Sequence, residues 1–265
     1  MLDYQFYKRE DRDETIILLH GMGGSSKIFY KQIRLYQESF NVLAIHLPGH
    51  GESPDIQYYK EPFNYDLVVG EILKTLDTLQ IREAHFIGIS LGSVVIHHIL
   101  QTHPDRVKSA VMGGCVTRFN VYAKTLFHIG NISKNFVPFM WIYRTFAHIM
   151  MPKVNHKKSR DIFIHEAKKM KRENFLSWFK VIGQADVTYK HVQEQSGGIP
   201  KLYISGQEDH IFVHKLLKDI EGDKSARVLI IENCGHVCNI EKPEEFNAAS
   251  LRFLREHLAG VEVAI

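Results

Sequence analysis

The sequence predicts an α/β fold, with a mostly parallel central sheet flanked by helices and a helical insertion. Three observations predict it. Short continuous apolar runs recur, the pattern of strands covered on both faces. Segments with a helical period lie between them. Several of the strand-like runs end in turns rich in Gly, Ser, His or Asp, at the strand ends where open α/β sheets place their sites. At 265 residues the chain suits one large domain, or a core domain with an insertion.

Tyr4 to Tyr7 alternates weakly and reads as an edge strand, followed by the charged turn Lys8 to Glu14. Thr15 to Leu19 is a β-rich apolar run ending in His20-Gly21-Met22-Gly23-Gly24. Phe40 to Ile45 is a second buried strand, and His46-Leu47-Pro48-Gly49-His50-Gly51-Glu52-Ser53 follows it. Leu67, Val68, Ile72, Leu76 and Leu79 give Tyr65 to Leu79 a helical period. The strand around Phe86-Ile87 runs into Gly88-Ile89-Ser90-Leu91-Gly92 and then an apolar helix, which His103-Pro104 stops. Ser109 to Gly114 is the next strand. From about 117 to 190 the rhythm breaks into helical sequence, first aromatic and Met-rich, then basic. It resumes with the strand Pro200 to Gly206, a helix over Val213 to Ile220, the strand Ala226 to Ile231 and an amphipathic helix, Pro243 to His257. The expected organisation is a core of residues 1–116 and 191–265 with the insertion 117–190 over one end of the sheet.

Composition narrows the function classes. The hydrophobic fraction, 45%, is ordinary for a protein with a substantial core. A net charge of +3 is too small to argue for nucleic acid, so no nucleic-acid partner is expected. Cys115, Cys234 and Cys238 are too few for a disulfide framework and fit a reducing compartment. The N-terminus is charged from Asp3 and has no apolar core, so no signal peptide is expected. The most membrane-like run, Phe136 to Met151, is short and carries Arg144 and His148, so no integral membrane segment is expected. A cytoplasmic protein is the expectation.

The chemistry centres on Ser90. Glycines two before and two after it suit a tight strand–helix turn, which lifts the hydroxyl clear of the sheet beside a helix N-terminus. A serine hydroxyl needs a base to take its proton and an acid to orient that base. His236 follows the strand Val228 to Ile231 in Asn233-Cys234-Gly235-His236. Asp209 follows Leu202 to Ser205 in Gly206-Gln207-Glu208-Asp209. On position alone Asp209 could equally cap the following helix, and Glu208 is the rival for the acid role. A tetrahedral intermediate also needs two N–H donors. The amide of Leu91 is one, and the Gly-rich turn after Leu19 can supply the other.

Together these blocks resemble the α/β-hydrolase superfamily, and in particular its capped, carboxylesterase-like serine hydrolases, over nearly the whole chain. Ser90, Asp209 and His236 stand in the superfamily's order. His20-Gly21-Met22-Gly23-Gly24 is similar to its H-G-x-x-G turn, which makes Met22 the second oxyanion donor. Leu47 to Ser53 is similar to its P-G-x-G-x-S loop, and Glu241-Lys242-Pro243-Glu244 extends the histidine block. The resemblance implies hydrolysis of a small-molecule carboxylic ester through a Ser-His-Asp triad and an acyl-enzyme, with no metal or organic cofactor. It also implies that the insertion is a helical cap over an apolar pocket for a small-to-medium acyl group. Carbon–carbon hydrolysis or thioester cleavage with the same triad is the alternative, as is a ligand-sensing protein on this fold. Gly23-Gly24-Ser25 and Ile89 depart from the carbon–carbon branch, and Ile89 departs from the lipase pattern.

His20, Phe127, Phe139, Trp141 and Val237 are the candidate substrate contacts, although most cap aromatics are better read as packing the cap onto the core. Lys153 to Arg172 could meet a membrane surface or an anionic substrate, and reads more simply as a solvated helix face. Cys234 and Cys238 flank His236 without a usual zinc spacing, so no metal site is expected. The oligomeric state, monomer or dimer, is left open.

Overall fold

A computed structural model describes residues 1–258 except 135, 184, 186–188, 190 and 197. Seven strands form one sheet: β1 (Tyr4–Tyr7), β2 (Thr15–Leu19), β3 (Asn41–Ile45), β4 (Ala84–Ile89), β5 (Val107–Gly113), β6 (Lys201–Gly206) and β7 (Ala226–Ile231). Their spatial order is β1-β3-β2-β4-β5-β6-β7. Only the β1–β3 pairing is antiparallel, with Tyr4 opposite Ile45; the others are parallel. Every residue of β2, β3 and β4 is buried, which is why their sequences show no polar alternation. Residues of β7 are partly exposed, as an edge position allows.

The helices of the first half are α1 (Tyr30–Tyr36), α2 (Tyr65–Thr78) and α3 (Leu91–Thr102). Asn64 caps α2 by accepting from the Leu67 amide at 2.9 Å. Between β5 and β6 lie α4 (Val121–Ser133), α5 (Phe139–Met150), α6 (Lys157–Ala167), α7 (Arg172–Ile182) and the short α8 (Val192–Gln195). No strand occurs there among the described residues, and the expected boundary after 190 falls at a residue outside them. Finally come α9 (Val213–Asp219), α10 (Cys238–Glu241) and α11 (Pro243–Glu256).

α1 escaped the sequence reading, as did the short α8 and α10. α1 is short, lacks a side-chain cap and buries Gln32 beside Ile33 and Tyr36, so its apolar stripe is interrupted. Burial of that amide is compensated: Gln32 Nε2 donates to the Asn239 carbonyl at 3.0 Å and to Asn247 Oδ1 at 2.8 Å.

The chain steps from β2 outward to β3 and then back across to β4. A crevice therefore opens outside the carboxyl ends of β2 and β4, the switch point at which open α/β sheets bind ligands. The turns after β2 and β4 meet there.

Candidate active site

At the end of β4, Ser90 adopts φ 54° and ψ −112°, a left-handed conformation that is costly for a residue with a side chain. Its amide donates to the Gly113 carbonyl at 2.9 Å, and its own carbonyl accepts from the Ser93 hydroxyl at 2.6 Å. The flanking glycines are required by close approach. A Cβ on Gly92 would lie 2.1 Å from the Leu19 carbonyl oxygen, and one on Gly88 would lie 2.5 Å from the Gly92 carbonyl carbon. No side chain fits at either position without pushing strand and helix apart.

The loops after β6 and β7 bring two more groups to this hydroxyl. His236 Nε2 lies 2.9 Å from Ser90 Oγ, and His236 Nδ1 lies 2.8 Å from Asp209 Oδ2. An ionised carboxylate only accepts, so Nδ1 carries the proton and Nε2 presents its lone pair to the serine. Both His236 and Asp209 are fully buried. Asp209 Oδ1 has no hydrogen-bond partner among the described residues, so the polar pairing of that carboxylate rests on His236. Burial alone would lower the imidazole pKa, but the charge of Asp209 and its hydrogen bond outweigh burial and raise it above the usual value. Glu208 faces elsewhere: its carboxylate meets Lys153, Asn155 and His156 at 2.6, 2.9 and 2.7 Å, which holds it down at about 2.

Leu91 is the first residue of α3, so its N–H has no acceptor within the helix. The second expected donor, the Met22 amide, belongs to a peptide fixed through its other end. The Gly21 carbonyl accepts from the Gly24 amide at 2.9 Å and from His20 Nδ1 at 2.8 Å. Across a trans peptide the N–H points opposite to the carbonyl, so these two bonds set its direction. His20 is therefore not a substrate contact as the sequence suggested: it is fully buried beneath the turn, and its Nε2 accepts from the Leu47 amide at 3.1 Å. His50 braces the same turn, with Nε2 accepting from the Gly23 amide at 2.9 Å. Burial pushes His50 down to about 4 and His20 well below its usual value, so both stay neutral and keep an acceptor lone pair.

Two cavities meet at Ser90 and Met22. The larger, about 300 Å³, is roofed by the insertion, where Phe127 stacks on Phe179 with centroids 4.4 Å apart and Phe119 follows at 6.0 Å. No charged side chain lines it among the described residues. Trp141 stands at its rim, and Phe139 lies outside it, packed on Phe175 with centroids 5.1 Å apart. The smaller cavity, about 20 Å³, lies among Gly21, Ile28, Ile89, Phe163 and Val237. Of the five candidate contacts, then, Phe127, Trp141 and Val237 border a cavity, whereas His20 and Phe139 do not. Phe163 and Phe179 were missed because they fall in or just after a stretch that reads as basic and solvated.

The insertion is tied to the loops beneath it by polar contacts. Tyr143 donates to the Met22 carbonyl at 2.8 Å, and Trp178 Nε1 donates to the Pro48 carbonyl at 2.8 Å. Asn120 donates to the Ile211 carbonyl at 2.9 Å. His156, inside the stretch expected to be a solvated face, is fully buried against Glu208 and lies 3.8 Å from Glu241. Glu241 in turn accepts from the Gly235 amide at 2.7 Å, next to His236. Cys234 and Cys238 are buried free thiols, and burial raises both pKa values, Cys238 up to about 12. Among the described residues no group of three His, Cys, Asp or Glu side chains could hold a metal ion.

Residues 14–128 match the family model described as the alpha/beta hydrolase fold. Two curated proteins of Acinetobacter baylyi are similar along most of the chain. An (E)-2-((N-methylformamido)methylene)succinate hydrolase is 21% identical over 94% of this chain and 93% of its own. A 3-oxoadipate enol-lactonase 2 is 23% identical over 94% of this chain and 91% of its own. Among solved structures, the enol-lactonase of Burkholderia xenovorans LB400 superposes with a TM-score of 0.79 at 21% identity, covering 96% of both chains.

Proposed function

We propose that the chain, whose residues 14–128 match the alpha/beta hydrolase fold, is a serine hydrolase of that superfamily cleaving an apolar carboxylic ester through Ser90, His236 and Asp209. Ser90 Oγ attacks the acyl carbonyl while His236 Nε2 takes its proton, and Asp209 holds the resulting imidazolium. The amides of Leu91 and Met22 receive the oxyanion. Collapse of the tetrahedral species expels the alcohol, which leaves with the proton that His236 returns. Water then attacks the acyl-enzyme, giving its proton to His236, and Ser90 is released. The observation that carries this reading is the continuous line of hydrogen bonds from Ser90 Oγ through His236 to Asp209, opening into an apolar cavity.

The cavities bear on the substrate. The larger, about 300 Å³, is at the lower end for ligand pockets, and at about 30 Å³ per water-sized group it holds roughly ten non-hydrogen atoms. The smaller, about 20 Å³ and lined in part by Glu166, leaves room for no more than a single small group. Succinate and oxoadipate, in the names of the two A. baylyi relatives, are dicarboxylates. The described residues lining the larger cavity offer a carboxylate no counter-charge, and desolvating it there would be costly. The reading is therefore an ester with one medium apolar arm and one small arm.

Methyl esters of straight-chain acids of increasing length test this, with the released acid titrated. Turnover is expected to peak at about eight to ten carbons and to vanish in Ser90→Ala. Turnover that survives Ser90→Ala, or a preference for carboxylate-bearing esters, would contradict it.

A further inference from the structure

The insertion differs from the rest of the chain in charge. Residues 117–190 hold 14 Lys and Arg against 4 Asp and Glu, while the remaining residues hold 19 against 26. A segment of +10 is thus carried on a body of −7. Among the described residues five of its cations pair with carboxylates: Arg118, Lys153, Lys157, Lys169 and Lys171. Lys134, Arg144 and Arg172 form no ion pair among the described residues.

Those three lie next to exposed apolar side chains on and just after α4 and on α5. Arg172 donates to the Lys134 carbonyl at the end of α4, which places both beside Phe136, a residue 84% exposed. Arg144 lies one helical turn from Trp141, which is 69% exposed. Ile129 and Ile132 on α4 complete the surface. Ile129 and Trp141 are both exposed and both line the large cavity, so the cavity opens through this patch. Exposed Trp, Phe and Ile beside Lys and Arg that form no ion pair among the described residues is the composition of surfaces that lie in the headgroup region of an anionic membrane.

We propose that this outer face of α4 and α5 docks on an anionic lipid surface, with the cavity mouth turned toward the lipid. An apolar ester dissolved in the bilayer would then reach Ser90 without crossing water. The −7 body is repelled by the same surface, so charge also orients the molecule.

Flotation of the full chain with vesicles tests the proposal independently of the hydrolase reading, because Ser90→Ala should bind as the parent does. The chain is expected to float with vesicles containing about one-third phosphatidylglycerol and to remain behind with phosphatidylcholine alone. Charge reversal in Arg144→Glu should cut the bound fraction about tenfold. Ile132→Ser and Phe136→Ser should also weaken binding, while all three variants hydrolyse a dissolved ester as the parent does. Of the two tryptophans Trp178 is fully buried, so a blue shift in emission on binding reports Trp141 entering the lipid. Absence of flotation with anionic vesicles would overturn the proposal, as would equal binding to neutral ones. A solution dimer that Phe136→Ser dissociates, without vesicle binding, would also overturn it and assign the face to a second copy of the chain.

Discussion

The turns at the ends of the strands and the helices above them are built in opposite ways. Ser90 and His236 are placed by backbone packed so closely that no side chain can intervene: a Cβ on Gly92 would strike Leu19, and one on Gly114 would lie 2.2 Å from the His236 carbonyl oxygen. Phe119, Phe127 and Phe179 are placed by side chains stacking on one another. The first kind of placement tolerates almost no change. The second can be repacked by exchanging one apolar side chain for another, at a cost below about 1.5 kcal/mol when volume is conserved. On the proposed reading, reactivity and selectivity fall to separate parts of the molecule.

The contrast predicts different kinds of damage. The largest effect belongs to the reacting groups: Ser90→Ala or His236→Ala should lower kcat by about 10⁶ for every ester tested. A loss confined to long esters would break the division. Asp209→Asn should cost about 10⁴ and should also move the pH profile. The base must be neutral to act, so kcat/KM falls as pH drops through the His236 pKa. Asp209 is what raises that pKa against the effect of burial, so its neutralisation should shift the acid limb to lower pH. Glu208→Gln should leave the limb in place; a shifted limb would make Glu208 the orienting acid instead.

Changes in the insertion should redistribute activity. Phe127→Ala or Phe179→Ala should alter the ratio of kcat/KM between long and short acyl esters by about 10–100-fold, with the rate on acetyl esters nearly unchanged. A uniform fall in kcat would show that the stack also positions the reacting groups. The smallest effect is expected at the tie between insertion and loops. His156→Ala leaves Glu208 and Glu241 facing a gap and should destabilise the fold by about 1–3 kcal/mol, measured by urea unfolding, with kcat on short esters near that of the parent.

The same division explains what the sequence made legible. β2 and β7 were readable to the residue because a strand in a parallel sheet announces itself locally, through a continuous apolar run and a terminating turn. Ser90, Asp209 and His236 stand out in the sequence because each follows such a run, and the fold brings Ser90 and Asp209 each within hydrogen-bonding distance of His236. α1 was not readable, because burial of Gln32 is compensated by Asn239 and Asn247, more than 200 positions away. The sequence offers His20 as a substrate contact because it adjoins the Gly-rich turn after β2; which side of that turn its ring occupies depends on Leu47, brought alongside by the sheet. Phe139 and Phe179 exchanged roles for a similar reason: which faces of α5 and α7 meet is decided by packing between helices, which no local period reveals.

The most direct test of Ser90 as the nucleophile is labelling with an alkyl fluorophosphonate, followed by mass mapping of the modified peptide. A single adduct on Ser90 is predicted, forming faster as pH rises through the His236 pKa and not forming in His236→Ala. A chain that hydrolyses esters while Ser90 stays unlabelled, or that carries the adduct on another residue, would contradict the mechanism.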